Sequence, residues 1–506
     1  MPLTFRPLRT PLLVGALGVF VSLRLATAQC PDGTPPPCAG AAAMAHPAPN
    51  SIAVLTFENS TRDTSAQYLA EGLADQICTR LGGVARLTLI SRTAVRRLRS
   101  REQLSVQQLG RTLNAAYLVS GSIRAAGGRV RVNVEALRVA TGEVVWSDAY
   151  DRASDALIGL EEAIATQVAA GVAGRLSPQE RRALGSRVTS NSRAYEQFLR
   201  GNVLLARRSP ADLRGAIAAY QAATAADQDF ADAYGRLAYA FATCWSWNCR
   251  SDEGALLGLS REASTRALRL NPRSSDAWLG RAAMLAIWPA TRVESDDSLL
   301  ASLPALRRAV ELNPRNDEAW HQYGTALRYV SDSASLDALR RALALDPTRA
   351  ATYMILSSIY WVMDRYDRAL ATIDSAVALD PDGPPRGYRA VYRLIADDTA
   401  GAMADARLTA SVWPSRGILA VFAHDSAAAG AIEAWVAQSG CSETSATWVL
   451  LTARREQAVE YLLACGPSLR TRWLLRWPAF APLADDPRIQ ALRAETERIL
   501  ARARWR

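Results

Sequence analysis

The chain has 506 residues, more than one core organises, with 59 basic against 49 acidic side chains and a net charge of +10. Every basic residue is arginine, and without lysine a P-loop nucleotide site, a kinase-type phosphate site and Schiff-base catalysis are excluded. The three histidines, His46, His321 and His424, stand far apart and offer little to a His-centred triad or a His-rich metal site.

At the start, Arg6 and Arg9 precede an apolar run from Pro11 to Leu23, and Ala26-Thr27-Ala28 sets small residues at the two positions a signal peptidase reads. Residues 1–28 are therefore expected to be a cleavable export signal, which places the protein in the periplasm or cell envelope. The run is shorter than the roughly 20 residues of a stable bilayer-spanning helix. An uncleaved segment anchored in the inner membrane is the alternative. Gln29 separates Cys30 from the small residues that a lipid-attachment box requires directly before the cysteine. Residues 29–50 are rich in Pro, Ala and Gly and read as a tether, in which Cys30 and Cys38 are candidates to close a small loop.

Residues 51–176 alternate between strand-like and helical patterns. The runs 51–57 and 86–91 read as strands, with an amphipathic helix over 66–81 between them and a second helical piece near 106–113. Three further strand-like runs, 115–126, 128–142 and 143–152, are joined by Gly-containing turns, and a helix is expected from about 156 to 176. The words "IAVLTFEN", "YLAEGLADQICTRL", "LISRT", "LNAAYLVSGSIR" and "ATGEVVWSDAYDR" follow in this order. On these, the segment resembles the TolB amino-terminal-like domain of bacterial envelope and sensor proteins. That resemblance implies an α/β domain placed ahead of helical repeats. It also implies that relatives carry a membrane span and an output module before it: a winged-helix DNA-binding domain in CadC-type regulators, a kinase or a cyclase. Here only the export signal and tether stand in that place.

Residues 193–414 are periodic. In the stretch 350–383, Tyr353, Leu356, Ser357 and Tyr360 fall on one helical face, Ala369, Ile373 and Ala376 on a second, and Pro381 closes the unit. Pro272, Pro314, Pro347, Pro381 and Pro414 recur near a spacing of roughly 34 residues. The unit resembles the tetratricopeptide (TPR) repeat, and several copies must stack to share a core. Residues 415–506 keep a weaker helical pattern and are expected to be degenerate repeats with a capping helix, its polar face supplied by Arg493, Glu495, Glu497 and Arg498. The fold class is thus an α/β N-terminal domain, a mixed sheet with flanking helices, followed by an all-α tetratricopeptide solenoid.

In peptide-binding relatives, fixed positions on each first helix line the groove. Carried over by register, the resemblance implies Tyr239, His321, Arg328, Met354 and Trp361 as the partner-binding residues. Packing between neighbouring repeats is the competing reading for these side chains. As groove residues, Arg328 and Trp361 are expected to weaken partner capture when truncated, with little change in melting. The Lys/Asn pairs of the carboxylate-clamp subtype are absent, so an extended apolar-rich peptide or a partner helix is the expected ligand.

Arg92, Arg96 and Arg99 form the densest basic cluster and are candidates for an anion patch touching envelope polymers or membrane phosphates; a solvated helix face is the alternative. No groove-reading motif points to nucleic acid. The acidic pair Glu71 and Asp75 lacks the alternating ligands of a calcium loop, so neither metal nor cofactor is expected. Of seven cysteines, Cys244 with Cys249 and Cys441 with Cys465 are disulfide candidates, the first pair pinning a "WSWN" loop at the groove rim, and Cys78 is expected buried on its helix. No nucleophile, base and orienting group fall together, so the expectation is a non-catalytic exported adaptor or scaffold binding a protein or peptide. The alternative is a membrane-tethered sensor or regulatory subunit, like a CadC-type ectodomain, coupled to a separate output protein.

Overall fold

The computed structural model describes residues 47–502, except 62–64, 91, 93–94, 96–104, 154–158, 186–188, 208, 247–248, 250–252, 286–295, 348, 411–413, 423–425, 439–440, 442 and 453–454. The export segment, the tether as far as residue 46 with Cys30 and Cys38, and both Arg96 and Arg99 lie outside the described residues. Among the described residues no helix is long and apolar enough to cross a membrane.

The first unit is a mixed sheet. Strands β1 (Ser51–Val54), β2 (Glu58–Asn59), β3 (Thr88–Leu89), β4 (Tyr117–Ala126), β5 (Arg129–Arg138) and β6 (Val144–Ala153) form it, in the order β3-β1-β4-β5-β6 with β2 beside β4. The pairings of β1 with β3 and β4 are parallel, and β4-β5-β6 is an antiparallel meander. Side chains alternate across a strand, so Ile52 and Val54 face helices α1 (Ser65–Leu81) and α3 (Leu160–Ala173), where Leu73, Ile77, Ile164 and Val168 complete the core. Ala53 and Leu55 point the other way, onto Val95 and onto Leu109 of α2 (Val106–Thr112). Helix α3 begins after Gly159 and ends at Gly174, both with positive φ (97° and 73°), which set a narrower helix than its sequence pattern suggests. Cys78 is buried on α1. After α4 (Pro178–Leu184), opened by a Ser177/Glu180 capping box, the chain enters the helical part.

Among the described residues, six helical hairpins follow: α5 (Ser192–Arg207) with α6 (Pro210–Ala226), α7 (Ala231–Ser246) with α8 (Glu253–Leu270), α9 (Ser275–Leu285) with α10 (Asp296–Leu312), α11 (Asp317–Leu327) with α12 (Asp332–Leu345), α13 (Ala350–Val362) with α14 (Tyr366–Leu379), and α15 (Pro384–Ile395) with α16 (Thr399–Leu408). Glycines let paired helices touch. A Cβ at Gly201 would lie 2.5 Å from the Tyr220 ring, and one at Gly324 would lie 2.6 Å from Leu339. The proline turns are locked from the next helix: the Trp278 indole N–H donates to the Pro272 carbonyl at 2.9 Å, and that of Trp320 to Pro314 at 2.8 Å. Asn316 caps α11 by accepting from the Ala319 N–H.

The remaining helices are α17 (Ser415–Phe422), α18 (Ser426–Gln438), α19 (Glu443–Thr452), α20 (Arg455–Ala464), α21 (Leu469–Leu475) and α22 (Pro487–Arg502), with a 3-10 turn at Pro478–Leu483. They do more than close the end of the stack. Val459, Leu462, Leu469, Trp473, Leu474 and Phe480 belong to the same apolar cluster as the hairpins, so this segment folds back and shares the solenoid's core.

Candidate functional site

The face formed by the first helices is where sequence reasoning put the partner groove, and all five residues assigned to it are buried there. Tyr239 is 2% exposed, His321 3%, Arg328 1%, Met354 5% and Trp361 4%. An open groove lined by these side chains is therefore corrected to a closed one, and two physical causes account for it.

The first cause is curvature. Across the face, the Tyr239 hydroxyl donates to the Glu318 carboxylate, joining α7 to α11 past the intervening hairpin. Gln322 donates to both, at 3.1 Å to Glu318 and 3.3 Å to the Tyr239 oxygen. Arg349 then reaches Glu318 at 2.7 Å and also pairs with Asp317, while Thr352 and His321 Nδ1 share a hydrogen bond of 2.9 Å. Burial lowers the Arg349 pKa, but the carboxylates of Glu318, Asp317 and Asp346 outweigh it and hold the guanidinium well above its ordinary value. Met354 lies in the same apolar cluster. Trp361 lies flat on Tyr392 of α15, with ring centroids 4.2 Å apart and planes 7° from parallel, and meets Tyr366 edge-on at 5.1 Å.

The second cause is the returning C-terminal segment. Arg328, just past α11, pairs with Glu443 at 2.9 Å and donates to the Tyr329 hydroxyl at 2.6 Å. Trp473 of α21 is fully buried between two guanidiniums, Arg328 at 5.2 Å and Arg476 at 5.9 Å from its ring centre, with Tyr329 edge-on at 6.0 Å. Two carboxylates at the starts of second helices hold the ends of α21. Asp296 of α10 accepts from the Leu469 N–H at 3.0 and 2.9 Å, and Asp332 of α12 takes Arg476 in a two-pronged pair, one bond at 3.0 Å. Burial pushes the Asp296 carboxyl up, a shift the Leu469 N–H opposes. Burial also pushes the Tyr388 and Tyr392 phenols up beside the Arg328–Glu443 pair.

Cys244 and Cys249 form a disulfide with Cα atoms 5.0 Å apart, and both are buried. Arg214 of α6 donates to the Cys249 carbonyl at 2.8 Å, fastening the loop to the preceding hairpin. Trp245 is partly buried against the core, and Trp247 lies outside the described residues. Cys441 and Cys465 form a second disulfide, Cα atoms 5.4 Å apart, close to both Glu443 and Leu469. Arg92 is engaged internally with Asp75, at 2.5 Å, and with the Val54 carbonyl, which removes it from an exposed anion patch. Glu71 faces Arg207 at 3.8 Å, so both acids on α1 have arginine partners.

Sequence reasoning missed Glu318, Glu443, Asp296, Asp332 and Trp473. A signal for the last was present: "LRTRWLLRW" interleaves basic and large apolar residues, a pattern suited to a helix held between acids and aromatics rather than to a polar cap.

No protein-family model matches the chain. Among curated proteins it is similar to "Putative adenylate cyclase 3" of Rhizobium meliloti (strain 1021), 28% identical over 154 residues that cover 30% of this chain and 26% of that protein. The chain thus spans about a quarter of that relative's length. The match corrects the expectation of a chain with no part in catalysis, since the shared stretch belongs to a protein named as an enzyme. The missing lysine bears only on chemistries that need an amine. Similar solved structures include a thermophilic TPR protein of Thermus thermophilus, 20% identical, covering 40% of this chain and 99% of that one, TM-score 0.32. Another is YrrB, described as a TPR protein with an unusual peptide-binding site, 22% identical, covering 37% and 87%, TM-score 0.25. A third is the PelC dodecamer from Paraburkholderia phytofirmans, 21% identical, covering 25% and 89%, TM-score 0.18. Scores this low leave questions of function to the chain's own geometry.

Proposed function

We propose that the protein is an exported scaffold of the cell envelope that binds a protein or peptide partner through its helical hairpins, with a TolB-like α/β domain docked at their start. The observation that carries this reading is that the hairpins, where first helices end and second helices begin, already seat a helix, α21, by an indole against Arg328 and by carboxylates at both ends. A surface that recognises one helix by side-chain chemistry is suited to recognising another. Export rests on the basic start, apolar run and Ala26/Ala28 pair. Intact-mass measurement of the native protein is expected to show loss of the first 28 residues, and a full-length species would overturn it. For the binding reading, photo-cross-linkers on α9, α11 and α13 in the full chain are expected to capture a discrete partner from envelope fractions. Capture only from the sheet unit would overturn it.

The cyclase relative favours a second reading, in which the shared stretch serves as a sensing or docking portion that regulates a catalytic protein. Nucleotide-cyclase activity in an envelope extract that rises and falls with added full-length protein would support it. Activity indifferent to the protein would exclude it.

A further inference from the structure

The seat of α21 has a definite chemistry. Its floor is Arg328 and Tyr329, which meet the Trp473 ring as a cation and an edge. Its two walls are carboxylates from successive repeats, Asp296 taking a helix-start N–H and Asp332 taking Arg476. Trp473 and Arg476 stand three residues apart, so one helix face delivers both. Glu443 neutralises Arg328 from a different helix, α19, and its side chain is 16% exposed where Arg328 is 1% exposed. The Cys441–Cys465 disulfide joins the approaches to these two contacts, and the Arg470 guanidinium donates to the Cys441 carbonyl at 3.2 Å.

We propose that this seat is the docking surface for a partner helix carrying an aromatic residue and, three positions later, an arginine, and that α21 occupies it in cis until such a helix displaces it. The proposal rests on the partner-binding reading above and specifies its ligand. Charge complementarity selects the partner: the carboxylates of Asp296 and Asp332 reject an acidic helix, and the Arg328 guanidinium favours an electron-rich ring face. Because cis and trans helices compete for the same atoms, affinity for the partner is lowered by the fraction of molecules in which the seat is filled.

The probe is a fluorescein-labelled peptide of residues 466–477, added to the full chain. In the Arg476→Ala chain, which loosens α21 but leaves the seat intact, the peptide is expected to bind at least tenfold more tightly than to wild type. Amide exchange over 469–476 is expected to rise while that of α13 and α14 is unchanged. Adding Asp332→Asn, or replacing the peptide's own arginine by alanine, is expected to remove the gain. A peptide that binds Arg476→Ala no better than wild type, or exchange rising across all hairpins together, overturns the proposal, as does unfolding of Arg476→Ala by circular dichroism: α21 is then a fixed wall of the fold. If the proposal fails while α9, α11 and α13 still cross-link a partner, the scaffold reading stands. If both fail, that reading falls as well.

Discussion

Replacing Trp361 by alanine tests the closed face most directly. The indole is 4% exposed, stacked on Tyr392 and edge-on to Tyr366, so truncation forfeits its transfer from water and leaves a cavity between α13 and α15. Buried Trp-to-Ala changes cost about 3–5 kcal/mol, of which the aromatic pairing accounts for about 0.5–1.5 kcal/mol. In a stacked array the loss falls on one hairpin interface and propagates to its neighbours. At roughly 2–4 °C per kcal/mol for a cooperative unit of this size, the helical melt should fall by on the order of 10 °C. Trp361→Phe, which keeps a ring on Tyr392, should cost only about 1 kcal/mol. The assay is a far-ultraviolet circular-dichroism melt of the full chain, with urea unfolding as a second measure. A Trp361→Ala melt within about 2 °C of wild type, with partner capture lost, would mean that the ring faces a ligand and would refute the packing argument.

Glu161→Gln strips the charge from the buried partner of Arg80, whose side chains are 1% and 7% exposed. Removing one member of such a pair costs about 3–5 kcal/mol; the retained hydrogen-bond acceptor puts the expected loss near the lower figure, read as faster proteolysis between the sheet unit and α5. Glu180 is held down to about 2 by hydrogen bonds from Arg86 and then from the Ser177 N–H. A depressed carboxyl stabilises the fold above its ordinary value near 4.5, and that contribution is lost as pH falls toward about 2. A carboxyl resonance of Glu180 that titrates at the ordinary value would contradict this. Peptide mapping without reductant is expected to recover Cys244 linked to Cys249 and Cys441 linked to Cys465, and free thiols at these positions in native protein would contradict the pairing.

What the sequence carried legibly was local. Of the signature positions of the 350–383 unit, Leu356, Ser357, Tyr360, Ala369, Ile373 and Ala376 are buried, Tyr353 is partly buried and Pro381 in the closing turn is exposed, because one helical period fixes which side faces its hairpin partner. The same holds for the alternation of Ile52, Ala53, Val54 and Leu55 across β1, which assigns each to one face of the sheet. What stayed illegible depends on curvature and return. Nothing in the period says that Tyr239 meets Glu318 two hairpins on, since that follows from the angle between units summed along the stack. Nor does it say that Glu443 and Trp473 come back to Arg328, as each contact is a single side-chain pairing with no repeat behind it. Tyr239, His321, Met354 and Trp361 lie on first helices and Arg328 just past one, but register alone does not tell a face open to solvent from one closed by the rest of the chain.

The chemistry of the junctions differs from that of the hairpins, and the difference bears on function. Within the stack most helix contacts are through Ala, Leu, Gly and aromatic residues, whose attraction is strong but not directional, with the Tyr239–Glu318–Arg349 network as a polar exception. Between larger pieces the chain uses paired charges and hydrogen bonds. Arg315 from the turn before α11 donates to the Leu87 carbonyl of the sheet unit at 3.0 Å, and Arg328, Asp296 and Asp332 hold the C-terminal segment. Desolvation offsets much of what a buried ion pair contributes to stability, yet mispairing one is costly, so such contacts fix a single docking geometry. A stack held by apolar faces alone would tolerate slippage of the returning helices by a turn. One held at Asp296, Arg328 and Asp332 would not, and the same three groups would impose that register on any helix arriving from outside.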